Sequence, residues 1–454
     1  MRRALVAAFI AAGCAGGGGD HGAPDQAMQL DSAMTIGDMA PAQPDLWPQE
    51  LGLSRDASLD LPAADFAQAA PKDLFIASDF SIGNDFALIP PDLSVLLDLT
   101  PVSDLAPVSD SAVGADLASA ADMASRPNYV FVTSTTYSVA TFAGDLKNAD
   151  AECSKRAQAG NLPGTYVAYL SIAQNHAFFR LGGKRGWMRP DGKLFLDQST
   201  DLAKKVYYPP RLDEFGNDAI GFKVATGTWG SGFSGNPNNC KDYTSSSPND
   251  SMLYGSPSAG AGSWVNFSDG PCNQSYHLYC FEVDYSVVPT LPSATGRIAF
   301  FSTSAFNPNS GADYADTKCA IEATAASLPG TYKALLSNAS MAAASRFNTT
   351  QGTQPWVRVD GVPIVKQASD LVTAKLIAPI NVAVDGKQWD GPYYFAWSGS
   401  DSPNLAGTSC KNWTSNDHAD SGLVGWASES SPGFFGGGSR ECDFSNGHLY
   451  CLQE

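Results

Sequence analysis

One ten-residue segment occurs twice in this chain, and the duplication limits what the chain can fold into. "LPGTYVAYLS" spans residues 162–171 and "LPGTYKALLS" spans residues 328–337, 166 positions later. Four further matches keep the same order in both copies: Cys153 and Cys319, Trp187 and Trp356, Cys240 and Cys410, and the tetrapeptides His-Leu-Tyr-Cys that end at Cys280 and Cys451. A repeat of this length is a whole domain and not a solenoid unit. The sequence therefore predicts two tandem domains, called here head 1 (residues 128–285) and head 2 (residues 297–454), with a linker at residues 286–296.

Each copy begins with a helical pattern that is followed by a strand pattern. Apolar residues recur at helical spacing from Leu146 to Ala157, and the helix is expected to end at Leu-Pro-Gly, where proline cannot continue it. In the strand that follows, Tyr, Ala and Leu alternate with a position that is Val167 in one copy and Lys333 in the other. The shared Tyr/Ala/Leu face is therefore expected to be buried. The rest is rich in Gly, Ser, Asn and Pro, which predicts long loops and an α+β fold.

The net charge of −18 is concentrated before the two heads. Head 1 holds 13 Lys and Arg against 14 Asp and Glu, and head 2 holds 10 against 14, which gives −1 and −4. The remaining −13 lies before residue 128. Because neither head is basic, nucleic acid is not an expected partner.

The first residues, "MRRALVAAFIAAGCAGGGGD", are typical of an export signal. Two arginines precede a short apolar run that is too short to cross a bilayer. The sequence Ala-Ala-Gly before Cys14 resembles the lipobox of bacterial lipoproteins, in which the cysteine is lipidated and becomes the mature N-terminus. This resemblance implies a signal peptide at residues 1–13 and a membrane partner through lipidated Cys14. Since Ala15 follows the cysteine, it also implies the outer membrane or cell surface; the alternative is an ordinary signal in which Cys14 has no role.

Residues 14–127 are predicted to form a disordered acidic stalk. Asp recurs there every six residues from Asp73 to Asp122, with a single interval of seven, and Leu, Phe or Met follows nearly every Asp. Prolines such as Pro90 and Pro107 block long helices and central strands, and the carboxylates repel one another, so the segment is expected to be extended. The alternative is a stacked parallel coil with six residues per turn, whose register the prolines and the seven-residue interval would break.

The eight cysteines beyond Cys14 fall four to a head. In an exported protein such cysteines are expected to form disulfides, and four of them allow three pairings. A zinc site is the alternative, but the spacing of Cys272 and Cys280 does not match a Cys-x-x-Cys motif. No cofactor is expected.

The repeated motifs resemble the frame of the endostatin-like domain, a variant of the C-type-lectin-like fold. Head 2 carries this frame most completely, in Gly311-Ala312-Asp313, Cys319, Leu-Pro-Gly-Thr-Tyr, Trp397-Ser398-Gly399-Ser400, Cys410-Lys411-Asn412-Trp413 and the closing Leu-Tyr-Cys. Head 1 departs from it, with Ala225-Thr226-Gly227-Thr228 in place of the first tryptophan motif and Tyr243 in place of Trp413. The resemblance covers both heads. Together the heads resemble the endostatin-like domains of bacterial surface lipoproteins, including the endostatin-like outer-membrane lipoproteins of spirochaetes.

The resemblance implies a nested disulfide pairing and a binding role. The implied pairs are Cys153–Cys280 with Cys240–Cys272 in head 1, and Cys319–Cys451 with Cys410–Cys442 in head 2. Endostatin-like proteins bind extracellular partners without catalysis. The heparin-binding arginine face and the zinc-binding histidine cluster of animal endostatin have no counterpart in these weakly acidic heads, so neither ligand is carried over.

Exposed tryptophans are the ligand-binding residues that the sequence offers. Trp229, Trp264, Trp397 and Trp426 lie in the loop-rich second half of the heads, and Trp229 is flanked by glycine. A calcium site in the C-type-lectin manner would need carboxylates that the triplets Asn-Pro-Asn at 236–238 and Ser-Pro-Asn at 402–404 do not supply. The duplicated His277 and His448 have no nucleophile at a fixed spacing and are expected to be structural.

The sequence therefore predicts a non-catalytic surface lipoprotein that recognises a glycan or a matrix-like extracellular protein. Two alternatives stay open: a structural envelope protein without a diffusible ligand, and a calcium-dependent lectin. The sequence specifies no oligomeric state.

Overall fold

The computed structural model describes residues 126–389 and 394–454, which form a mixed α/β structure that is mostly sheet with few helices. Both heads lie within the compact unit Leu105–Glu454. The predicted signal peptide, Cys14 and the predicted stalk lie outside the described residues. Within residues 126–389 and 394–454, no helix is long and apolar enough to cross a membrane.

Head 1 is built on one nine-stranded sheet. Its strands are β1 Asn128–Val132, β2 Tyr137–Ser138, β3 Tyr166–Ala168, β4 Arg185–Met188, β5 Leu194–Gln198, β6 Val224–Ala225, β7 Ser251–Gly255, β8 Ser268–Pro271 and β9 Ser275–Glu282. The order is β5-β4-β1-β9-β6-β7-β8, and β2 and β3 also pair with β9. The helices of head 1 are α1 Leu146–Ala159, α2 Ala177–Arg180 and the short turn α3 Cys240–Tyr243. The long strand β9 is therefore the centre of the sheet.

Head 2 repeats this arrangement with two separate four-stranded sheets, β11-β17-β10-β12 and β15-β14-β13-β16. Its strands are β10 Arg297–Phe301, β11 Tyr332–Ala334, β12 Trp356–Arg358, β13 Phe395–Trp397, β14 Ser421–Trp426, β15 Gly438–Glu441, β16 Gly447–His448 and β17 Tyr450–Gln453. Its helices are α4 Ala312–Ala325 and α5 Ser409–Trp413. The strands β16 and β17 together take the place of β9, and the break between them divides the sheet.

The predicted helix and strand at the start of each head are confirmed. Helix α1 buries Leu146, Ala149, Cys153 and Ala157, the positions that the helical spacing selected. In β3, Tyr166 and Ala168 are buried and the residue between them is half-buried, and β11 shows the same alternation. The Asp-Gly sequence that follows β4 forms a tight turn, in which the backbone N–H of Gly192 donates to the carbonyl of Arg189.

Two disulfides join the elements of each head, four in all. The pairs are Cys153–Cys280, Cys240–Cys272, Cys319–Cys451 and Cys410–Cys442, which is the nested arrangement. The outer bridge of each head ties its first long helix to its last strand. The inner bridge closes a loop with a sequence separation of 32 in both heads.

Each inner bridge anchors a left-handed backbone turn. The four residues ending at Tyr243 have φ between 53° and 59°, and the four ending at Trp413 have φ between 46° and 66°. This conformation costs roughly 1–2 kcal/mol per L-residue. Packing offsets the cost, because Tyr243 and Trp413 are fully buried and the indole N–H of Trp413 donates to the carbonyl of Ser337 at 2.8 Å.

The two heads pack against each other around a pseudo-two-fold axis. Ala259 and Glu429, which occupy equivalent positions after the matched Gly255 and Gly425, form an antiparallel bridge between the heads. The flanking backbone hydrogen bonds are reciprocal: Gly260 N–H donates to Ser428 O at 2.7 Å, and Ser430 N–H donates to Ser258 O at 2.9 Å. Such self-complementary pairing is characteristic of an isologous interface.

A second set of contacts extends this junction. The side chain of Arg211 in head 1 donates to the carbonyl of Leu376 in head 2 at 2.7 Å, and burial lowers the pKa of its guanidinium. From head 2, Gln388 and Arg358 both donate to the carbonyl of Val206 in head 1. A small apolar cluster combines Leu194, Tyr207 and Tyr208 with Val362 and Ala378. The heads therefore form one packed body, and the linker at 286–296 does not hold them apart.

Candidate functional site

A group of aromatic side chains, most of them exposed, lies on the surface of head 1. We call the set Phe178, Phe179, Trp229 and Phe233, with His176 beside them, the aromatic patch. Phe179 is 60% exposed, and Trp229 and Phe233 are each 43% exposed. Single exposed apolar side chains are common on protein surfaces, but a contiguous group of them indicates a binding surface.

The phenylalanine and histidine rings of the aromatic patch contact one another. Phe233 lies 5.1 Å from the ring of His176, 5.8 Å from that of Phe179 and 6.3 Å from that of Phe178, measured between ring centroids. The imidazole Nδ1 of His176 accepts a hydrogen bond from the backbone N–H of Ser234 at 3.1 Å. Since Nδ1 is an acceptor, a neutral ring carries its proton on Nε2.

Trp229 and Phe233 belong to a short hairpin. Thr228 and Ser234 form an antiparallel bridge, and inside it the backbone N–H of Trp229 donates to the carbonyl of Phe233 at 2.9 Å. At the hairpin tip, Gly232 has φ +87°, and an added Cβ would lie 2.9 Å from the Cβ of Phe178. The tip therefore requires glycine.

Buried hydrogen bonds hold this hairpin against the short helix α2, which carries Phe178 and Phe179. The hydroxyl of Thr228 lies 2.8 Å from that of Ser171, which accepts from the backbone N–H of Ala177, also at 2.8 Å. The backbone N–H of Phe178 donates to the carbonyl of Gly232 at 3.1 Å. The rings are exposed, but the backbone beneath them is fixed.

The two segments that form the aromatic patch are polar. The segments 171–179 and 229–239 contain no Asp, Glu, Lys or Arg. Their exposed polar residues include Gln174, Asn175, Ser231 and Asn236. One carboxylate, that of Asp242, lies beside them and accepts from the backbone N–H of Ala173 at 3.0 Å. The site is therefore amphipathic, and its two segments carry no basic residue.

The aromatic patch is absent from the corresponding surface of head 2. Arg180 and Arg346 occupy equivalent positions, since Arg180 donates to the carbonyl of Ala168 in β3 and Arg346 to that of Ala334 in β11. Counting back from these arginines, Phe179 corresponds to Ser345 and Phe178 to Ala344. Two residues after the matched Gly227 and Gly399, head 1 has Trp229 and head 2 has Asp401. Head 2 carries a polar hollow of about 370 Å³ there, lined by residues that include Ser400, Asp401, Ser409 and Ser439.

Two of the four tryptophans predicted to bind a ligand lie in the core, which corrects that prediction. Trp264 and Trp397 are both 0% exposed. The indole N–H of Trp264 donates to the carbonyl of Leu202 at 2.8 Å, and Trp397 packs edge-on against Trp413 at 5.9 Å. Their Gly- and Ser-rich surroundings predicted exposed loops, but these segments fold back onto the sheet.

Trp426 is half-buried at the junction of the heads. Its ring packs edge-on against Phe267 of head 1 at 5.3 Å and lines a cleft of about 310 Å³. Of the four predicted tryptophans, only Trp229 has an exposed ring. The sequence prediction did not include Phe178, Phe179 and Phe233. The contrast between Phe-Phe in head 1 and Ala-Ser at the equivalent positions of head 2 would have indicated them.

The duplicated histidines have structural positions. The Nδ1 of His277 lies 2.6 Å from the carbonyl of Thr133, and the Nδ1 of His448 lies 2.8 Å from the carbonyl of Ser302. His277 also stacks on Phe222 at 3.9 Å. Burial lowers the pKa of both imidazoles. Over the described ranges, 126–389 and 394–454, no group of three His, Cys, Asp or Glu side chains is arranged to hold a metal ion.

Comparison of this chain with protein-family models and with curated proteins finds no match.

Proposed function

We propose that this protein is a lipid-anchored surface protein that recognises a glycan or an extracellular protein through the aromatic patch of head 1. The observation that carries the proposal is the grouping of exposed rings, Phe179, Trp229 and Phe233, in one of two otherwise matched domains. Water-exposed apolar rings that are grouped on one head favour a role in binding.

The disulfides are consistent with an exported or extracellular protein. Lipidation of Cys14 would hold such a protein at the outer membrane, and the segment 14–127 would serve as the stalk. In this proposal the heads are endostatin-like domains of the C-type-lectin-like class. This assignment rests on the motifs that the two copies share.

Head 2 contributes rigidity in this account. Its contacts across the junction bury Val206 and the backbone pairing at Ala259, which fixes the orientation of head 1. A fixed head presents its loops without losing orientational freedom when it binds. The polar hollow of head 2 is not required for recognition.

The test is direct binding by the purified full-length protein. Immobilised glycans and immobilised collagen, fibronectin and laminin would be probed with the wild type and with Trp229→Ala. Leu405→Ala in head 2 is the matched control, because Leu405 is 50% exposed on the equivalent loop. We expect Trp229→Ala to weaken at least one interaction about tenfold or more, and Leu405→Ala to weaken none. Equal binding of all three proteins to every surface would refute the proposal.

A further inference from the structure

We infer that the aromatic patch binds an uncharged sugar chain, and that it does so without calcium. This inference rests on the proposed function and specifies its ligand. It follows from the exposed rings, from the lack of basic residues in segments 171–179 and 229–239, and from the pairing of the adjacent charged groups.

The combination of rings and amides fits the chemistry of a sugar. A pyranose presents an apolar C–H face, which packs on an aromatic ring, and hydroxyl groups at its edge, which need both donors and acceptors. Phe179, Trp229 and Phe233 supply the apolar surface. The side-chain amides of Gln174, Asn175 and Asn236 can each donate and accept.

The charges around the patch argue against an acidic ligand. The basic residues that follow the two segments in the chain are already paired: Arg180 with Asp150, and Lys241 with Asp250 at 3.0 Å. A sulfated or carboxylated glycan would have to give up water for a surface that offers no free cation within segments 171–179 and 229–239. An uncharged glycan meets no such cost.

The same loops do not provide a calcium site. Asp242, the carboxylate nearest to the Asn-Pro-Asn triplet at 236–238, accepts hydrogen bonds from the amide of Asn239 at 2.6 Å and from the backbone N–H of Ala173 at 3.0 Å. Its Oδ1 is therefore committed to holding the loop. A hard divalent cation takes six to eight oxygen ligands, most often with carboxylates among them. Binding of an uncharged sugar through the rings and amides needs no bound cation.

The test is titration of the purified full-length protein with named polysaccharides. The neutral probes are dextran, yeast mannan, laminarin and xyloglucan, and the acidic probes are heparin and polygalacturonate. We expect at least one neutral probe to bind, with about a tenfold or greater loss in Trp229→Ala and in Phe179→Ser, and with no loss in Leu405→Ala. Binding should be unchanged by EDTA and by a rise in salt from 50 to 500 mM, about the range over which surface charge effects are screened.

Three results would overturn the inference. One is that no neutral probe binds, the second is that only the acidic probes bind, and the third is that EDTA abolishes binding to a neutral probe. If collagen, fibronectin or laminin binds in a Trp229-dependent manner while every neutral glycan fails, the proposed recognition function stands and the sugar assignment is wrong. If Trp229→Ala changes binding to no surface at all, both fall together.

Discussion

Removing the outer disulfide of head 2 should destabilise the protein more than removing the inner one. The outer bridge joins Cys319 to Cys451 with a sequence separation of 132, and the inner bridge joins Cys410 to Cys442 with a separation of 32. In the chain-entropy description, the first cross-link is worth about 5 kcal/mol and the second about 3.7 kcal/mol, because a longer closed loop restricts the unfolded chain more.

The difference of about 1.2 kcal/mol is the robust part of this prediction. All four cysteines are 0% exposed, so replacing either pair with alanine removes a similar amount of buried sulfur and leaves similar local packing defects. The free energy of unfolding of the full-length protein would be measured in guanidinium chloride by the fluorescence of its buried tryptophans. The corresponding outer pair of head 1, with a separation of 127, is an internal repeat of the experiment.

The reasoning would be refuted if the Cys410→Ala, Cys442→Ala variant were less stable than the Cys319→Ala, Cys451→Ala variant. It would also be refuted if neither variant lost more than about 1 kcal/mol, since even short loops are expected to contribute more than this. Either result would mean that the bridges strain the native heads or that the unfolded chain is already constrained.

Three further predictions concern the core, the buried histidines and the junction. Trp264→Ala and Trp397→Ala should each lower the free energy of unfolding by about 3–5 kcal/mol, because their side chains are fully buried, whereas Trp229→Ala should change it by less than about 0.5 kcal/mol; chemical unfolding measures all three. Burial lowers the pKa of His448 below its value in the unfolded chain. The stabilisation that comes from its neutral form is therefore complete above about pH 6.5 and is lost as the pH falls. The free energy of unfolding should drop less between pH 7 and pH 5 in His448→Asn than in the wild type. Gly260→Leu should disrupt the junction and lower the free energy of unfolding by about 1–3 kcal/mol, because even a Cβ there would lie 3.0 Å from the amide nitrogen of Asn381 in head 2. Small-angle scattering should then show a larger radius of gyration. An unchanged radius and an unchanged stability would contradict the packed junction.

The features of the fold that the sequence could predict are those with a local physical signature. Helix α1 follows from apolar spacing, its end follows from Leu-Pro-Gly, and the alternation in β3 follows from the tolerance of Lys333 at the matched position. The nested cysteines follow from the resemblance of the motifs. In each case the information lies within a short segment or in a comparison of the two copies.

The junction of the heads had no such signature. Its central contacts use Gly260, Ser258 and Ser430, which are small polar or glycine residues that read as ordinary loop. The carbonyl of Val206 is satisfied by side chains more than 150 positions away along the chain. Backbone pairing between two loops carries no periodic pattern, so it becomes visible only when both heads are folded.

Only part of the candidate site, the exposed Trp229, could be predicted from the sequence. Flanking glycine correctly indicated that Trp229 is exposed, because no bulky neighbour in sequence covers it. The same reasoning failed for Trp264, which is covered by residues from distant strands such as Phe195 and Tyr279. The phenylalanines of the patch come from helix α2 and from the hairpin at 228–234, and neither segment alone indicates that they meet.

The central claim is that head 1 recognises its ligand through surface shape that head 2 lacks. It is tested most directly by giving head 1 the residues of head 2, in the triple variant Phe178→Ala, Phe179→Ser, Trp229→Asp, and measuring its dissociation constant against the glycan and matrix-protein probes. We predict a loss of about a hundredfold or more in a variant that stays folded, with some loss of stability because Phe178 packs against the core. Undiminished affinity in a folded triple variant would contradict the account.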